Sequence, residues 1–431
     1  MSLTMMSLIL VGSFLFLLLI GVEIFAAIGL TACLGLLLFM NQSVDQLAYT
    51  AWATENTFTF TAIPLFVFMG AMFSNTGVIR TLFEGAEKLI GFLPGGLACS
   101  TIGAGAAFGA MSGSSIAAAA TFGQIVFPEM ERTGYNPKLA FGAIAMGGAL
   151  SVLIPPSVVL IVYGGWQEVS VPRLFAGGLI PGILLASLFI VTVIIMVKLN
   201  PGLAPKPTPF NWREMLPALR QILPWLGIVI LVLGVIFGGI MTPTEAAALG
   251  AFLGIAVALG YRQMSFDALK KSALTAVRIS AMIAIIITAA RVLGHVFQVI
   301  GLTEAFSSYV LGLGLGKYGV LLVLYIMYII LGCFMDGISM MTITLPFVIP
   351  IIEGLGWNLV WWGVVYVVVD ELALVTPPYG LNLFAIRGVV PKYSIFTVAA
   401  GALPFYPAVL ITLALCTAFP EIVLWLPNLM F

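Results

Sequence analysis

Three serines, one carboxylate and two proline pairs, all set inside apolar runs, are the residues of this chain best placed to do chemistry. AMSGSSIAA (110–118) gathers Ser112, Ser114 and Ser115 around Gly113. Glycine lets the backbone reverse there, and the hydroxyls then stand beside carbonyls freed from the helix ladder. Hard oxygen donors of this kind suit Na+ or a bound carboxylate, and that stretch holds no thiolate or imidazole for a transition metal. FMDGISMM (334–341) makes a second turn with Asp336, Gly337 and Ser339, followed within two turns by Thr342 and Thr344. A carboxylate so deep in an apolar segment is a functional candidate by default. It either neutralises a cation or braces the turn by accepting backbone N–H bonds. LIPPSV (153–158) and VTPPYG (375–380) each place two prolines in an apolar run, where the helix must unwind. The carbonyls of Ile154 and Thr376 then become free acceptors, the Thr376 hydroxyl adds another, and half-helix N-termini aim positive dipole ends at an anion.

The motifs come in pairs. Pro155 and Pro377 lie 222 positions apart (377 − 155), and Pro128 and Pro350, Gly134 and Gly356, and Asn136 and Asn358 keep that offset. Gly113 and Gly337 differ by 224 (337 − 113), so the register slips by two at the turns. Interrupted segments at matching places in two hydrophobic halves point to a midplane binding site in a secondary transporter. Two plainer readings stand beside this one. AMSGSSIAA suits a packing seam of small residues, and a proline pair suits a simple kink.

The elements that must position these motifs follow from hydropathy. Hydrophobic residues make up 61% of the chain and charged residues 8%, with mean hydropathy +1.17. That composition leaves too little charge to cover a soluble surface. The net charge of zero gives no electrostatic footprint for nucleic acid. Cys33, Cys99, Cys333 and Cys416 are scattered without ligand spacing and read as packing residues. The first apolar stretch lacks a basic region and a cleavage site, so it reads as an uncleaved helix.

Apolar stretches long enough to span fall at 5–21, 24–40, 58–78, 174–197, 222–240, 244–260, 279–300 and 394–418. Broken or re-entrant stretches fall at 94–127, 139–165, 319–352 and 359–386. Basic residues cluster at Arg80/Lys88, Arg132/Lys138, Lys198 to Arg220, Arg262 to Arg278 and Arg387/Lys392. Placing every cluster in the cytoplasm satisfies the positive-inside rule and sends both termini to the other face. The loop after the first turn, PEMERTGYNPK (128–138), is basic; its counterpart PIIEGLGWNL (350–359) has no basic residue. Equivalent loops therefore fall on opposite sides, and the repeat is expected to be inverted. PGLAPKPTPFNWREMLPALRQ (201–221) reads as a cytoplasmic linker entering an interfacial helix, and 262–278 reads as a second interfacial helix or a plain positive-inside loop.

Four features need separate weighing. Asp370 and Glu371 precede the second proline pair, where an interfacial position and a core position are both open. Arg291 and His295, one helical turn apart in an apolar helix, are placed to pair with an acid or to line a cavity; a lone histidine there is more often a satisfied structural group, so both stay outside the expected site. MTPTEAAALGA (241–251) is a capping box with proline at the first helical position. It superficially resembles the Glu-Ala-Ala loop of ABC permeases, but the charge pattern puts Glu245 on the non-cytoplasmic face.

Taken together, AMSGSSIAA, LIPPSV, the 242–251 stretch, DGISMMTITLP and VTPPYGLNLF resemble the large membrane subunit of TRAP (tripartite ATP-independent periplasmic) transporters over nearly the whole chain. That resemblance implies an all-α polytopic fold in the bacterial inner membrane, with two inverted-topology repeats and an elevator-type division into scaffold and transport domain. Each repeat holds a re-entrant helical hairpin and a broken helix. The implied partition is scaffold helices at 1–93, a first transport repeat at 94–200, a linker with arms and scaffold helices at 201–318, a second transport repeat at 319–418, and a tail at 419–431. One Na+ site is implied at Ser112, Gly113, Ser115, Ser151, Ile154 and Pro155. A second is implied at Asp336, Gly337, Ser339, Thr376 and Pro377. Substrate is implied between the tips, at Ser114, Ser115, Pro156, Thr342 and Pro378. The implied activity is Na+-driven uptake of a dicarboxylate, a sialic acid or a similar carboxylate. A periplasmic binding protein would deliver it, and a separate four-helix membrane subunit would stiffen the scaffold. A stand-alone Na+/dicarboxylate symporter and an ABC-type permease are the alternatives. An enzyme is disfavoured, because a single histidine and no Ser–His–Asp or metal constellation leave little to catalyse with.

Overall fold

The computed structural model describes residues 2–40, 45–207, 209 and 211–431. All regular structure among them is helical. Seven of the described helices are long and apolar enough to cross a membrane, or eight if Trp212–Arg220 and Ile222–Phe237, bent by 52°, form one span. Val171–Leu199 and Phe266–Val299 bury only 33% of their apolar windows, whereas Pro137–Gln167 buries 94%. The long helices therefore turn apolar flanks to lipid, and the proline-interrupted helix forms the centre.

Each expected hairpin is a pair of helices joined by a short turn. The first runs Gly96–Ser112 and Ser115–Arg132, and the second Gly316–Gly332 and Gly337–Gly354. Both extend a few residues beyond the expected 94–127 and 319–352. The Leu97 N–H donates to Tyr135 Oη at 3.0 Å and closes the base of the first. Lys317 Nζ stands 3.7 Å from the Trp357 ring centroid and closes the base of the second. Tyr135 and Trp357 are themselves 222 apart (357 − 135). Each follows a left-handed glycine, Gly134 (φ 86) or Gly356 (φ 69). Each also precedes an asparagine cap: Asn136 Oδ1 accepts from Lys138 N, and Asn358 Oδ1 from Val360 N. The duplicated Gly–aromatic–Asn signal thus closes one hairpin and starts the next helix in both halves.

Those next helices carry the proline pairs. Pro137–Leu153 breaks at 154–157 before Val158–Gln167, and Leu359–Leu374 breaks at 375–380 before Leu381–Val389. The arms of the first hairpin flank the first broken helix at glycine contacts. A Cβ on Gly109 would overlap Ser151 Cα, and one on Gly148 would stand 3.0 Å from Ala119 Cα. Small residues one turn apart let membrane helices approach this closely. The base of the first hairpin lies at the Asn136 end of this broken helix. Toward its other end, Tyr163 Oη donates at 2.8 Å to the Leu359 carbonyl, beside the base of the second hairpin.

Two expectations are corrected. The interfacial helix at 262–278 and the span at 279–300 are one 34-residue helix, Phe266–Val299, capped by Ser265. No proline interrupts it and no glycine occurs before Gly294, while Ala268, Ser272, Ala276, Ile283 and Ile287 continue one buried stripe. The expected tail forms the helix Glu421–Met430, held because Val423 packs against Gly177. Helices at Asp45–Glu55, Val78–Ile90 and Leu302–Gly312 were also not anticipated. The capping box is present as expected: Glu245 N donates to Thr242 Oγ1, and Thr242 N to Glu245 Oε2.

Candidate functional site

A cavity of about 470 Å³ brings the two hairpin tips together. Ser112 to Ala117 line it from the first half, Asp336 to Ile338 from the second, and Asp370 from the second broken helix. Val152, Val158 and Val159 of the first broken helix line it too, and two surrounding helices close it through Gly70 and Ser74 of Ala62–Asn75 and Thr275 and Met282 of Phe266–Val299. Gly70 matters there, since a Cβ on it would run into the Ser112 backbone and Met111 O.

At the first tip, Gly113 ends the entering helix in the left-handed region (φ 60). A side chain there would also crowd Val158 N at 3.2 Å and Pro156 O at 3.3 Å, so the tip and the first break are in contact. Ser114 caps the returning helix, with Oγ accepting from Ala117 N. Ser115 is committed across the repeats: its hydroxyl accepts from Asn382 Nδ2 (2.6 Å) and donates to Oδ1 (2.9 Å). Ser151 lies outside the cavity, fully buried, with a hydroxyl that has no partner. Ile154 and Pro155 turn toward Gly182 and Gly178 of the Val171–Leu199 helix.

At the second tip, Asp336 is a helix cap. Its Oδ2 accepts from the N–H groups of Ile338 and Ser339, both at 3.1 Å, and Oδ1 accepts from Ser339 Oγ. Ser339 is therefore spent on the cap, and Thr342 donates to Ser339 O inside its own helix. Both are fully buried and outside the cavity. The Thr376 hydroxyl donates to Leu372 O at 2.6 Å. Pro377 and Pro378 are exposed. The second break meets its tip through Cys333, whose carbonyl accepts from Gly380 N and whose Sγ donates to Pro377 O. The structure thus brings Ser112, Gly113, Ser114, Ser115, Asp336 and Gly337 to one cavity. Ser151, Ile154, Pro155, Pro156, Ser339, Thr342, Thr376, Pro377 and Pro378 are not part of its lining.

Three polar residues outside the expected site complete it. Asp370 and Glu371 are each 1% exposed, which settles their position in the core. Asp370 Oδ1 and both Glu371 carboxylate oxygens have no hydrogen-bond partner. The Asp370 carboxyl abuts Gly337 so closely that a Cβ there would overlap it, and Tyr366 Oη donates to the Gly337 carbonyl just above. Ser115 stands beside Glu371, although no hydrogen bond joins them. Asn382 is fully buried. The sequence did carry a signal for the acids, an adjacent pair in the apolar run YVVVDELALV (366–375).

A buried carboxylate without a partner needs a compensating cation, proton or donor set. The four ion pairs among the described residues, Arg80–Glu84, Arg132–Glu129, Lys271–Asp267 and Lys392–Glu131, all involve solvent-accessible side chains, and none of these residues lines the tip cavity. No group of three or more His, Cys, Asp or Glu among the described residues is disposed to hold a metal ion. The available ligand set is therefore carboxylates with hydroxyl and carbonyl oxygens, chemistry suited to a hard cation.

Comparison with known proteins agrees with this architecture. Over 403 residues the chain is 36% identical to the large permease protein DctM of a C4-dicarboxylate TRAP transporter from Pseudomonas aeruginosa, covering 93% of this chain and 94% of that one. It is 32% identical to the isethionate TRAP transporter permease protein DctMQ of Oleidesulfovibrio alaskensis, covering 96% of this chain and 65% of the relative. The YdaH transporter of Alcanivorax borkumensis shares the fold, with a TM-score of 0.57 and 16% identity across 88% of this chain and 90% of its own. Residues 11–422 match the family described as the tripartite ATP-independent periplasmic transporter, DctM component. On that match, which spans nearly all of its length, the chain belongs to the DctM component family of TRAP transporters.

Proposed function

We propose that this chain is the membrane permease of a three-component transporter that couples Na+ entry to uptake of a small organic anion. The observation that carries the proposal is a cavity lined by both hairpin tips, with Asp370 in its wall and the buried, unpartnered Glu371 carboxylate next to it in sequence. Na+ between the second tip and these acids would offset their burial and mutual repulsion. The tip cavity would then accept an anion that the bare carboxylates repel, and this makes cation and anion binding mutually favourable. Ser151, with its free hydroxyl behind the first tip, and the Pro156 carbonyl facing Gly113 are the corresponding oxygens for a second Na+ in the first half.

The bases of the two hairpins lie beside opposite ends of the first broken helix, which supports an inverted repeat. Under the positive-inside rule the basic loops are cytoplasmic and both termini periplasmic, in the inner membrane. The hairpins and broken helices would move as the elevator against a scaffold that includes Ala62–Asn75 and Phe266–Val299. The tips border the Asn75 and Thr275 ends of these helices, and with the basic loops in the cytoplasm that contact supports an inward-facing position. Partners are a periplasmic substrate-binding protein and a small four-helix membrane subunit. The substrate is a C4-dicarboxylate, a sialic acid or another small organic acid. The test is uptake into vesicles holding both membrane subunits. Succinate accumulation that requires both an inward Na+ gradient and the binding protein is expected. Uptake that persists without the binding protein would reject the three-component reading, and ATP-driven uptake indifferent to Na+ would reject both.

A further inference from the structure

A second polar cavity lies further along the Phe266–Val299 helix. It measures about 370 Å³ and is lined by Thr50, Trp166, Arg291, His295, Gln298 and Thr303, among others. Arg291 is 8 residues beyond Ile283, the last residue of that helix at the tip cavity, or about 12 Å at 1.5 Å per residue. It is 20 residues, or roughly 30 Å, from the basic Lys271 end.

Arg291 is a half-buried guanidinium among aromatic rings, 5.3 Å from the Trp166 centroid and 5.9 Å from that of Phe60. Among the described residues its one hydrogen bond goes from Nη2 to the Gly165 carbonyl at 3.3 Å. No carboxylate lies within ion-pair distance among the described residues. Glu168, the nearby acid, lines an adjoining cavity of about 570 Å³ that Arg291 also borders. A guanidinium with most of its planar fork uncommitted, in a partly desolvated setting, matches carboxylate and sulfonate geometry. An independent observation points to a ligand at the same place: Thr303 is 8% exposed, lines the cavity, and its hydroxyl has no partner. Pro346 and Pro350 of the second hairpin form the opposite wall, and Pro346 packs close to Gly294, so movement of that hairpin must reshape the cavity.

We infer that this cavity is a second anion site, at which Arg291 and Thr303 hold the carboxylate or sulfonate group of an organic anion on the side away from the basic loops. The site rests on the transport reading above, since it serves an anion on its way to the tips. The probes are succinate and isethionate, used on the full chain with Cys33→Ser and Thr50→Cys. Labelling of the introduced cysteine by a soluble thiosulfonate reagent is measured with and without each anion. Millimolar succinate should slow labelling at least threefold in this parent. The protection should weaken in Arg291→Lys, which keeps the charge but loses the planar fork, fall in Thr303→Ala and vanish in Arg291→Gln. Equal protection by isethionate shows that the anionic group alone is recognised, and protection by succinate alone assigns the site to carboxylates. Absence of protection by either anion in a parent that still transports, or undiminished protection in Arg291→Gln, overturns the site. Protection without Na+-driven uptake of either anion would leave the site standing and refute the transport reading.

Discussion

Replacing Asp370 by asparagine should raise stability in the absence of Na+ and abolish the stabilisation that Na+ gives the parent. Asparagine keeps the shape of the side chain and removes its charge, while Asp370 itself is 1% exposed with Oδ1 unpartnered against Gly337. Leaving a buried charged acceptor unsatisfied costs roughly 1–3 kcal/mol or more. In choline or K+ buffer, Asp370→Asn should therefore be more stable than the parent by about 1–2 kcal/mol, a shift on the order of a few degrees in melting temperature. Na+ at tenfold its dissociation constant stabilises a binding protein by about 1.4 kcal/mol. The parent should gain that increment and the variant should not, so their order in Na+ should converge or invert. The assay is thermal unfolding of the purified, detergent-solubilised protein in matched Na+ and choline salts. Glu371→Gln provides the parallel case one residue on. An equal Na+-dependent gain in parent and Asp370→Asn would refute the reasoning. So would a variant less stable than the parent in both salts.

Asp336 separates cap from charge. Asparagine caps as well as aspartate, whereas alanine costs about 0.5–2 kcal/mol at such a position, so Asp336→Asn should retain most Na+-driven uptake and Asp336→Ala should lose much of it; equal loss in both would assign the role to charge. Gly337→Ala has no room beside the Asp370 carboxyl, and overpacking of roughly 1–3 kcal/mol should reduce uptake about tenfold or more. Partial recovery of protein stability in the double variant Gly337→Ala/Asp370→Ala would show that the contact is the cause. Outside the membrane, hydrogen bonds from Lys392 Nζ and Tyr393 Oη hold the Glu131 carboxyl below the usual carboxylate range. A depressed pKa gives a tie that is present at neutral pH and lost as pH falls through the lowered value. Hydrogen exchange at 390–394 should accordingly stay slow through mild acid and quicken only in strong acid; early loosening would contradict the pairing.

The sequence by itself determined much of the scaffold of this protein, because lipid forces every backbone group to be satisfied within helices. Apolar run lengths therefore located the spans, and the duplicated Gly113/Gly337 turns and proline pairs located both hairpins and both breaks. The aromatic residues Tyr135 and Trp357 and the caps Asn136 and Asn358 kept the same offset. Local patterning also explained the Thr242–Glu245 capping box. It failed where a continuous buried stripe overrode the charges at 262–278, which fused an expected interfacial helix to the next span. Within the site, the sequence could name polar residues near the turns but not say which were already spent. Only tertiary structure showed that Asp336 is engaged by backbone N–H groups and Ser339, that Ser115 is bound to Asn382 267 residues away, that Thr342 bonds within its own helix, and that Thr376 bonds back to the end of the helix before it. Only tertiary structure placed Asp370 and Glu371 in the core, without partners, beside the tips. The physical reason is that a break is written in local residue types, whereas an unmet hydrogen bond depends on what distant helices bring to the same point.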